Sequence, residues 1–383
     1  MEYIYITHLS TFFPNAPVRN EEMEDYIGLV NPKSSIAKRL VLEKNGIRSR
    51  YYALDKSGHV THTNVEMAAL AVRHLLAEAA MTPSDIDLLA CGTASPEQLM
   101  PSHGVMVHGA LGGDGGAEVV SFAGSCCTGM HALKYAWLSM RTGDAQRAVC
   151  VASERLSAWM QARYFEREAE LIDQLMEKPI LAFEKEFLRW MLSDGAGAVQ
   201  LGSEPLAGQL NFKIHWIDLL SYANEMPVCM YAGGEVGQGG EWLSWKDVDA
   251  DECAKRSLMA VKQDVKLLNE NIVAYTVEKP LRHLIAKHGL QADEIDWFLP
   301  HYSSGFFRSK LADGLAAAGL PIAEEKWFTN LHYKGNTGSA AVYIILEEVM
   351  RRTDIREGQK ILCYIPESGR FSTCFMLLEA VYA

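Results

Sequence analysis

Two periods of hydrophobic and polar positions alternate along this chain of 383 residues. Short apolar runs that end in small or acidic residues, such as "IDLLACGTAS" and "AVCVASE", are typical of buried strands. Longer segments with apolar residues three or four positions apart, such as "NVEMAALAVRHLLAEAAM", are typical of amphipathic helices. Strands that alternate with helices predict an α/β protein with mixed sheets buried under helices.

The order of these elements occurs twice, which predicts a duplicated α/β domain. Residues 83–95, "PSDIDLLACGTAS", are similar to residues 292–304, "ADEIDWFLPHYSS", and each segment follows an amphipathic helix. In both halves a turn of small residues then opens a helix, and an apolar strand comes next, "AVCVASE" in the first half and "KILCYIPES" in the second. We expect an N-terminal half of residues 1–205, with a charged helical insertion at about 157–190, and a C-terminal half of residues 206–383.

Composition and charge narrow the functional classes. The formal net charge is −12, which disfavours binding to nucleic acid or to an anionic membrane. No apolar run approaches the ~20 residues that span a bilayer, and the first residues, "MEYIYITHLSTFF", indicate a strand rather than a signal peptide. The eight cysteines lack metal-ligand spacing, and "GGDGG" follows a helix, the reverse of a dinucleotide-binding turn. These features predict a cytoplasmic protein without a metal or cofactor.

The segment "SFAGSCCTGMHAL", residues 121–133, places Cys126 and Cys127 where an apolar strand meets a helix. Backbone N–H groups and the helix dipole at such a helix N-terminus stabilise a thiolate and lower the thiol pKa. A thiolate there can attack a thioester carbonyl, and nearby N–H groups can hold the oxyanion. The alternative is a tight strand-to-helix turn in which the two thiols only fill space.

Two further segments favour chemistry at this turn. His301, in "FLPHYSSGFF", follows the end of an apolar strand, where sites collect in α/β sheets. Asn336, in "YKGNTGSAA", lies in the turn that corresponds to the cysteine turn in the other half. A structural histidine and a turn-forming asparagine are the alternatives. Together the three side chains would supply a nucleophile and two neutral hydrogen-bond donors for a thioester oxygen that gains negative charge during carbon–carbon bond formation.

These motifs resemble the ketosynthase III branch of the thiolase-like superfamily over nearly the whole chain. The segments "NGIRSRYYA", "DGAGAVQL", "PH" before the histidine and "GNTGSAA" occur in the family's order. The family's nucleophile stands in a C-x-G pattern, here residues 127–129, so the resemblance implies that Cys127 is the nucleophile and that Cys126 packs behind it. It also implies a five-layered αβαβα fold, a homodimer, and an oxyanion hole formed by the backbone N–H groups of Cys127 and Gly369.

Several departures from the family pattern indicate substrates other than acetyl-CoA. The segment before "NGIR" reads "AKRLVLEK" and has no aromatic residue to stack on coenzyme A, and the long insertion replaces an arginine-bearing loop. The acyl-pocket residue that family members donate across the dimer is here Met100, next to Leu99. A flexible methionine suits a longer acyl chain.

The stretch "ASERLS" and these departures resemble ketosynthases that form dialkylresorcinols or cyclohexanediones. That resemblance implies condensation of a β-ketoacyl thioester with a second acyl chain, followed by cyclisation. Glu154 or His301 would remove the acidic proton, and the alternative for Glu154 is a carboxylate that merely anchors a loop. The competing functions are an initiating ketosynthase that uses malonyl carrier protein, an acyltransferase to oxygen or nitrogen, and an inactive dimer partner.

The expected partner is an acyl carrier protein, which delivers the thioester. Carrier proteins are acidic, so their docking surface on this acidic chain must be a local basic patch. Arg308, just beyond the His301 turn, is the first candidate, and Lys279, Arg282 and Lys287 lie on the preceding helix. The alternative is a solvated helix face whose charges need no partner.

Overall fold

The structure is a computed structural model of one chain and describes residues 3–30, 36–165, 187–237 and 239–383. The core of the predicted helical insertion, residues 166–186, lies outside the described residues.

Nine strands of the described chain form one mixed sheet. They are β1 Tyr5–Phe12, β4 Leu88–Thr93, β5 Glu118–Ala123, β6 Ala148–Glu154, β7 Gly195–Gly202, β8 Leu210–Ser221, β13 Trp297–Pro300, β14 Lys360–Glu367 and β15 Ser372–Tyr382. Short strands pair outside this sheet: β2 Val18–Arg19 with β3 Ser49–Arg50, β9 Met230–Tyr231 with β12 Lys262–Gln263, and β10 Gly234–Val236 with β11 Trp242–Ser244.

The strands of the large sheet form two groups, one from the N-terminal part of the sequence and one from the C-terminal part. Strands β5, β4, β6, β7 and β1 lie side by side, and β8, β15, β14 and β13 continue the sheet. Three neighbouring pairs are parallel, namely β4 with β5, β4 with β6, and β13 with β14, and the other pairs are antiparallel. The two groups meet at Tyr5 and Ile6 of β1, which pair with Lys213 and Phe212 of β8. The predicted mixed α/β architecture is therefore confirmed.

Helices cover this sheet with faces rich in Ala, Val, Leu and Met, as their hydrophobic spacing predicts. The described helices are α1 Met23–Ile27, α2 Ile36–Asn45, α3 Asn64–Glu78, α4 His103–Leu111, α5 Thr128–Thr142, α6 Ser157–Met160, α7 Ala250–Lys255, α8 Val265–Val273, α9 Lys279–His288, α10 Arg308–Ala317, α11 Leu331–Lys334 and α12 Ala341–Met350. A π-helical turn, Ala274–Glu278, joins α8 to α9. Within the described ranges, no helix combines the length and the apolar character that crossing a bilayer requires.

Helices α5 and α12 pack into the same core cluster, and their N-terminal turns touch. A Cβ atom on Gly129 would lie 2.4 Å from the carbonyl oxygen of Ser339, so this approach requires glycine. The Tyr343 hydroxyl donates to the carbonyl of Gly129 at 2.7 Å and holds the two helices together. The two turns that correspond in the sequence repeat therefore meet near the centre of the molecule, as the repeat predicts.

Candidate active site

The cysteine pair lies in the turn between β5 and α5. Cys127 is the N-cap residue of α5, and the backbone N–H of Thr128 donates to the carbonyl of Ser125 at 3.1 Å. The Thr128 hydroxyl donates to the same carbonyl at 2.8 Å, which closes the turn. The predicted strand, small-residue turn and helix are all present here.

His301 follows the last residue of β13, at the carboxyl end of a strand that is parallel to β14. Its backbone N–H donates to the carbonyl of Tyr364 at 2.8 Å, which fixes the residue against the neighbouring strand. Burial lowers the pKa of the His301 imidazole to about 4, so the ring is neutral at neutral pH. Neither ring nitrogen bonds to a residue that the structure describes. A neutral imidazole of this kind can donate one hydrogen bond to a ligand.

Asn336 is held by three hydrogen bonds that involve its backbone and its side-chain oxygen. Its N–H donates to the carbonyl of Met191 at 3.0 Å, and its carbonyl accepts from the N–H of Ser193 at 2.8 Å. Its Oδ1 accepts from the N–H of Gly338 at 3.0 Å, which fixes the orientation of the amide. The Nδ2 group has no acceptor among the described residues and can donate to a ligand.

A mostly apolar cavity joins these elements. Ser125, Cys126, His301 and Asn336 are among its polar lining residues. The other walls are mostly apolar and come from both halves of the chain: Leu156, Trp159, Leu188, Leu192, Met230, Val261, Leu268, Ile272, Val273, Val277, Phe307 and Leu311. Walls of this kind suit an apolar chain, and the polar lining residues suit a polar group attached to it.

The two cysteines differ in their position relative to this cavity. Cys126 lies on the cavity wall together with His301 and Asn336, whereas Cys127 does not. The Cys127 side chain has no exposed surface, and its sulfur lies 3.4 Å from the carbonyl oxygen of Ile365. The assignment of Cys127 as the nucleophile therefore stays a prediction, and it requires the sulfur to move to the adjoining cavity wall.

The expectation of a lowered thiol pKa at Cys127 is wrong for this ligand-free structure. Burial, and next to it the carboxylate of Glu367, raise the pKa of the Cys127 thiol well above its ordinary value. The backbone N–H of Cys127 donates to Oε2 of Glu367 at 3.1 Å. The N-terminus of α5 does stabilise an anion, as helix dipoles do, but that anion is the Glu367 carboxylate and not the thiolate.

Sequence reasoning did not single out Glu367, although it lies in the quoted segment "KILCYIPES", two residues before Gly369. A Cβ atom on Gly369 would lie 3.6 Å from Oε1 of Glu367. The Gly369 carbonyl accepts from the N–H groups of Cys229 and Met230 at 2.9 and 3.2 Å, which fixes this turn. In the sequence, the only indication that Glu367 belongs to the site is that it lies beside the glycine turn that the resemblance assigns to the oxyanion hole.

Glu154 anchors a loop, because both of its carboxylate oxygens are engaged in hydrogen bonds, so the geometry does not support its expected role as the base. Its carboxylate accepts from the N–H of Ala94 at 2.9 Å and from the Ser95 hydroxyl at 2.6 Å. It also accepts from the N–H and hydroxyl of Ser339 at 3.2 and 2.5 Å, and from the Thr93 hydroxyl at 3.4 Å. With both oxygens engaged and no exposed surface, Glu154 matches the anchoring alternative.

The residues expected to line an acyl pocket lie on the surface of this single chain. Leu99 is 70% exposed and Met100 is 84% exposed, and neither contributes to the cavity. Strand β5 is the edge strand of the sheet, and its residues are exposed or half-buried. An exposed edge and exposed apolar side chains leave room for a second chain to cover them.

The basic residues expected to dock a carrier protein are each paired with a carboxylate of their own chain. This neutralises the predicted patch, because each positive charge already has a negative neighbour. The pairs are Arg308 with Glu324 (2.6 Å), Lys279 with Glu225 (2.6 Å), Arg282 with Glu278 (3.1 Å) and Lys287 with Asp218 (2.7 Å).

Comparison with known proteins agrees with the class of enzyme that this site indicates. The family model "3-Oxoacyl-[acyl-carrier-protein (ACP)] synthase III C terminal" matches residues 285–369, which include His301, Asn336 and Gly369. The β-ketoacyl-[acyl-carrier-protein] synthase III of Bordetella petrii is 27% identical over 368 residues, which are 94% of each chain. The enzyme of the same name from Xanthomonas campestris is 24% identical over 363 residues, 94% of this chain and 93% of its own. The prediction of an acyl-transferring condensing enzyme is thereby confirmed.

Solved structures agree with the fold. A structure titled "AbyA1 - tetronic acid condensing enzyme" aligns with a TM-score of 0.76 and 21% identity over 98% of this chain and 99% of its own. Synthase III of Aquifex aeolicus aligns with a TM-score of 0.70 and 20% identity over 98% and 99% of the two chains. The predicted thiolase-like fold is confirmed.

Proposed function

We propose that this protein joins two acyl chains by Claisen condensation and then closes the product into a ring of the cyclohexanedione or dialkylresorcinol type. The observation that carries the proposal is a cavity with mostly apolar walls that also includes His301 and Asn336 among its lining residues. An acetyl group would leave most of that apolar surface without a partner, whereas a medium or long acyl chain would cover it.

The first step loads the enzyme. The Cys127 sulfur attacks the thioester carbonyl carbon, the carbon–sulfur bond to the carrier breaks, and the thiol proton passes to the leaving carrier thiolate. The second step forms the carbon–carbon bond. A β-ketoacyl thioester loses a proton from its acidic carbon, and that carbon attacks the carbonyl of acyl-Cys127, which expels the Cys127 thiolate. His301 and Asn336 donate hydrogen bonds to the thioester oxygen of the resulting enolate.

A homodimer would complete the site, because Leu99 and Met100 do not line the cavity of their own chain. Both side chains are largely exposed, and β5 offers a free sheet edge. Pairing two such edges would bury apolar surface and satisfy the unpaired backbone groups of β5. We propose that each protomer then places Leu99 and Met100 against the acyl chain bound by its partner.

The thioester arm of an acyl carrier protein would enter through a groove lined by Leu40, Val41, Lys44, Val265, Asn269, Ser304 and Phe306. Ser304 and Phe306 are the sequence neighbours of Ser303 and Phe307 on the main cavity wall, so the groove adjoins the cavity. Lys44, Lys266 and Lys310 have no ion-pair partner among the described residues, and they would attract an acidic carrier.

A second candidate is an initiating β-ketoacyl-ACP synthase III that condenses an acyl thioester with malonyl carrier protein. The names of the curated relatives favour it. Loss of CO₂ from malonate would then supply the carbanion, and no base would be needed for that step.

Intact mass spectrometry of the wild type, Cys127→Ala and the matched control Cys126→Ala would test the proposal. Each protein is mixed with acyl thioesters of two to fourteen carbons, and a β-ketoacyl carrier protein is then added. We expect medium or long chains to load the wild type and Cys126→Ala but not Cys127→Ala, and a ring-sized product to form without malonate. Loading by acetyl alone, with turnover only on malonyl carrier protein, would favour the second candidate. Loss of loading in Cys126→Ala alone would reverse the assignment of the nucleophile.

A further inference from the structure

Glu367, the last residue of β14, places its carboxylate at the N-terminus of α5. Its Oε2 accepts the backbone N–H of Cys127 at 3.1 Å, and the backbone N–H of Ser125 also stabilises the carboxylate. Its Oε1 lies 3.6 Å from the position that a Cβ atom would take on Gly369. The carboxylate therefore lies between Cys127 and Gly369, the two residues whose N–H groups are expected to form the oxyanion hole.

A substrate carbonyl cannot use this site while the carboxylate occupies it. The N–H of Cys127 already has an acceptor, and a developing oxyanion next to an ionised carboxylate would be destabilised by like-charge repulsion. An acyl group that binds with its carbonyl at the Cys127 N–H must therefore displace the Glu367 side chain.

The displaced carboxylate would stay at the edge of the cavity. Glu367 does not line the cavity itself, but its neighbours Pro366 and Ser368 both do. Glu367 itself is half-buried, and its hydrogen bonds come from backbone donors, so a rotation of the side chain costs few contacts. The titratable groups that face it are Cys126 in the preceding turn, and Cys127 and His131 at the start of α5.

We propose that Glu367 is the base that removes the α-proton of the β-ketoacyl thioester, after the acyl carbonyl has taken its place at the Cys127 N–H. The α-carbon–hydrogen bond breaks, the proton forms an O–H bond with Glu367, and the electron pair passes into the enolate held by His301 and Asn336. This inference rests on the proposed function, and it assigns the role of the base to Glu367 instead of Glu154.

Burial of Glu367 supports this role. It raises the pKa of the carboxyl above its ordinary value, and a carboxylate with a raised pKa is a more effective proton acceptor near neutral pH. The same arrangement favours the protonated Cys127 thiol, because burial and, next to it, the negative charge of Glu367 raise the pKa of that thiol.

The test compares wild type, Glu367→Gln and the surface control Glu294→Gln in two separate steps. Acylation of Cys127 by an octanoyl thioester is followed by intact mass. Proton removal is followed as loss of deuterium from a 2-deuterated β-ketoacyl carrier protein added to the octanoylated enzyme, corrected for the rate without enzyme. Glu294 is a partly exposed carboxylate paired with Lys360 on the surface.

We expect Glu367→Gln to be acylated at least as fast as the wild type and to lose deuterium at least 100-fold more slowly, in the range that general-base catalysis contributes. Glu294→Gln should match the wild type in both steps. A Glu367→Gln enzyme with unchanged deuterium loss, or with acylation and deuterium loss reduced by the same factor, would overturn the inference.

A second variant covers the case in which Glu367→Gln does not fold. In Glu367→Ala, added formate should restore deuterium loss in proportion to its concentration without changing the rate of acylation, and absence of that rescue in folded protein would also count against the inference. Failure of the proposed function has a different signature. The wild type would then form no condensed product with the β-ketoacyl partner, whatever the deuterium measurement shows for the variants.

Discussion

The ends of β6 and β14 are equivalent places in the two halves of the molecule, and each ends in a glutamate. Glu154 closes β6, which follows α5, and Glu367 closes β14, which follows α12. Each carboxylate accepts a backbone N–H from the N-terminal turn of the other half's central helix, Ser339 for Glu154 and Cys127 for Glu367. The positions match, but the surroundings do not.

The two glutamates differ in the number of hydrogen-bond donors around the carboxylate and in their access to the cavity. Glu154 is fully buried and also accepts hydroxyl hydrogen bonds from Ser95 and Ser339, so it is fixed. Glu367 is half-buried and lies between two cavity-lining residues. A duplicated fold can thus use one position for structure and its counterpart for chemistry. The number of hydrogen-bond donors around each carboxylate decides which of the two roles it can take.

Stability measurements should show the largest contrast between the two glutamates. Glu154→Gln places an amide NH₂ among donors and leaves at least one buried donor unsatisfied, so we expect it to lower the free energy of unfolding by about 2–4 kcal/mol. Glu367→Gln keeps an oxygen for the Cys127 N–H and should cost less than about 1 kcal/mol. Denaturant unfolding of both variants against wild type measures this. Equal losses would remove the distinction between anchor and movable side chain.

Sequence reasoning located the parts of the site that depend on local pattern. His301 follows an apolar strand and Asn336 lies in a small-residue turn, so both positions could be predicted from periodicity and the repeat. Glu367 could not, because its partner Cys127 lies 240 positions earlier in the chain and only the folded sheet brings the two together. The pairing of Arg308 with Glu324 was missed for a similar reason, since the partner lies on a separate turn.

The reactivity of the Cys127 thiol should differ less between the Glu367 and Glu154 variants than their stability does. Burial raises the pKa of the Cys127 thiol most, and the charge of Glu367 raises it further. Removing that charge should lower the pKa in part, and at a fixed pH more thiolate is then present. We expect iodoacetamide to alkylate Cys127 several-fold to about tenfold faster in Glu367→Gln than in wild type at pH 8, one pKa unit being tenfold. Peptide mass spectrometry would follow the two cysteines separately.

Glu154→Gln is the matched variant for this measurement, because it removes a carboxylate of the same type from the equivalent strand end. Its carboxylate is not among the groups that raise the pKa of Cys127, so the rate at Cys127 should change less than twofold. Equal acceleration in the two variants would indicate a general loosening of the core and not a local charge effect.

A change at a third carboxylate, on the surface, should have the smallest effect on stability. It therefore serves as a reference for the variants of Glu154 and Glu367. Glu324 pairs with Arg308 at 2.6 Å, and its side chain is 48% exposed. Water screens such a pair, so Glu324→Gln, which removes the ion pair and leaves the contacts of Arg308 with Tyr302 and Trp327 in place, should change the free energy of unfolding by less than about 1 kcal/mol.

Arg308→Ala tests the first docking prediction. Because Arg308 is already neutralised, we expect the KM for an acyl carrier protein to change less than twofold, whereas Lys44→Glu at the groove should raise it clearly more. The reverse order would return the docking surface to Arg308 and to the helix that precedes the His301 turn.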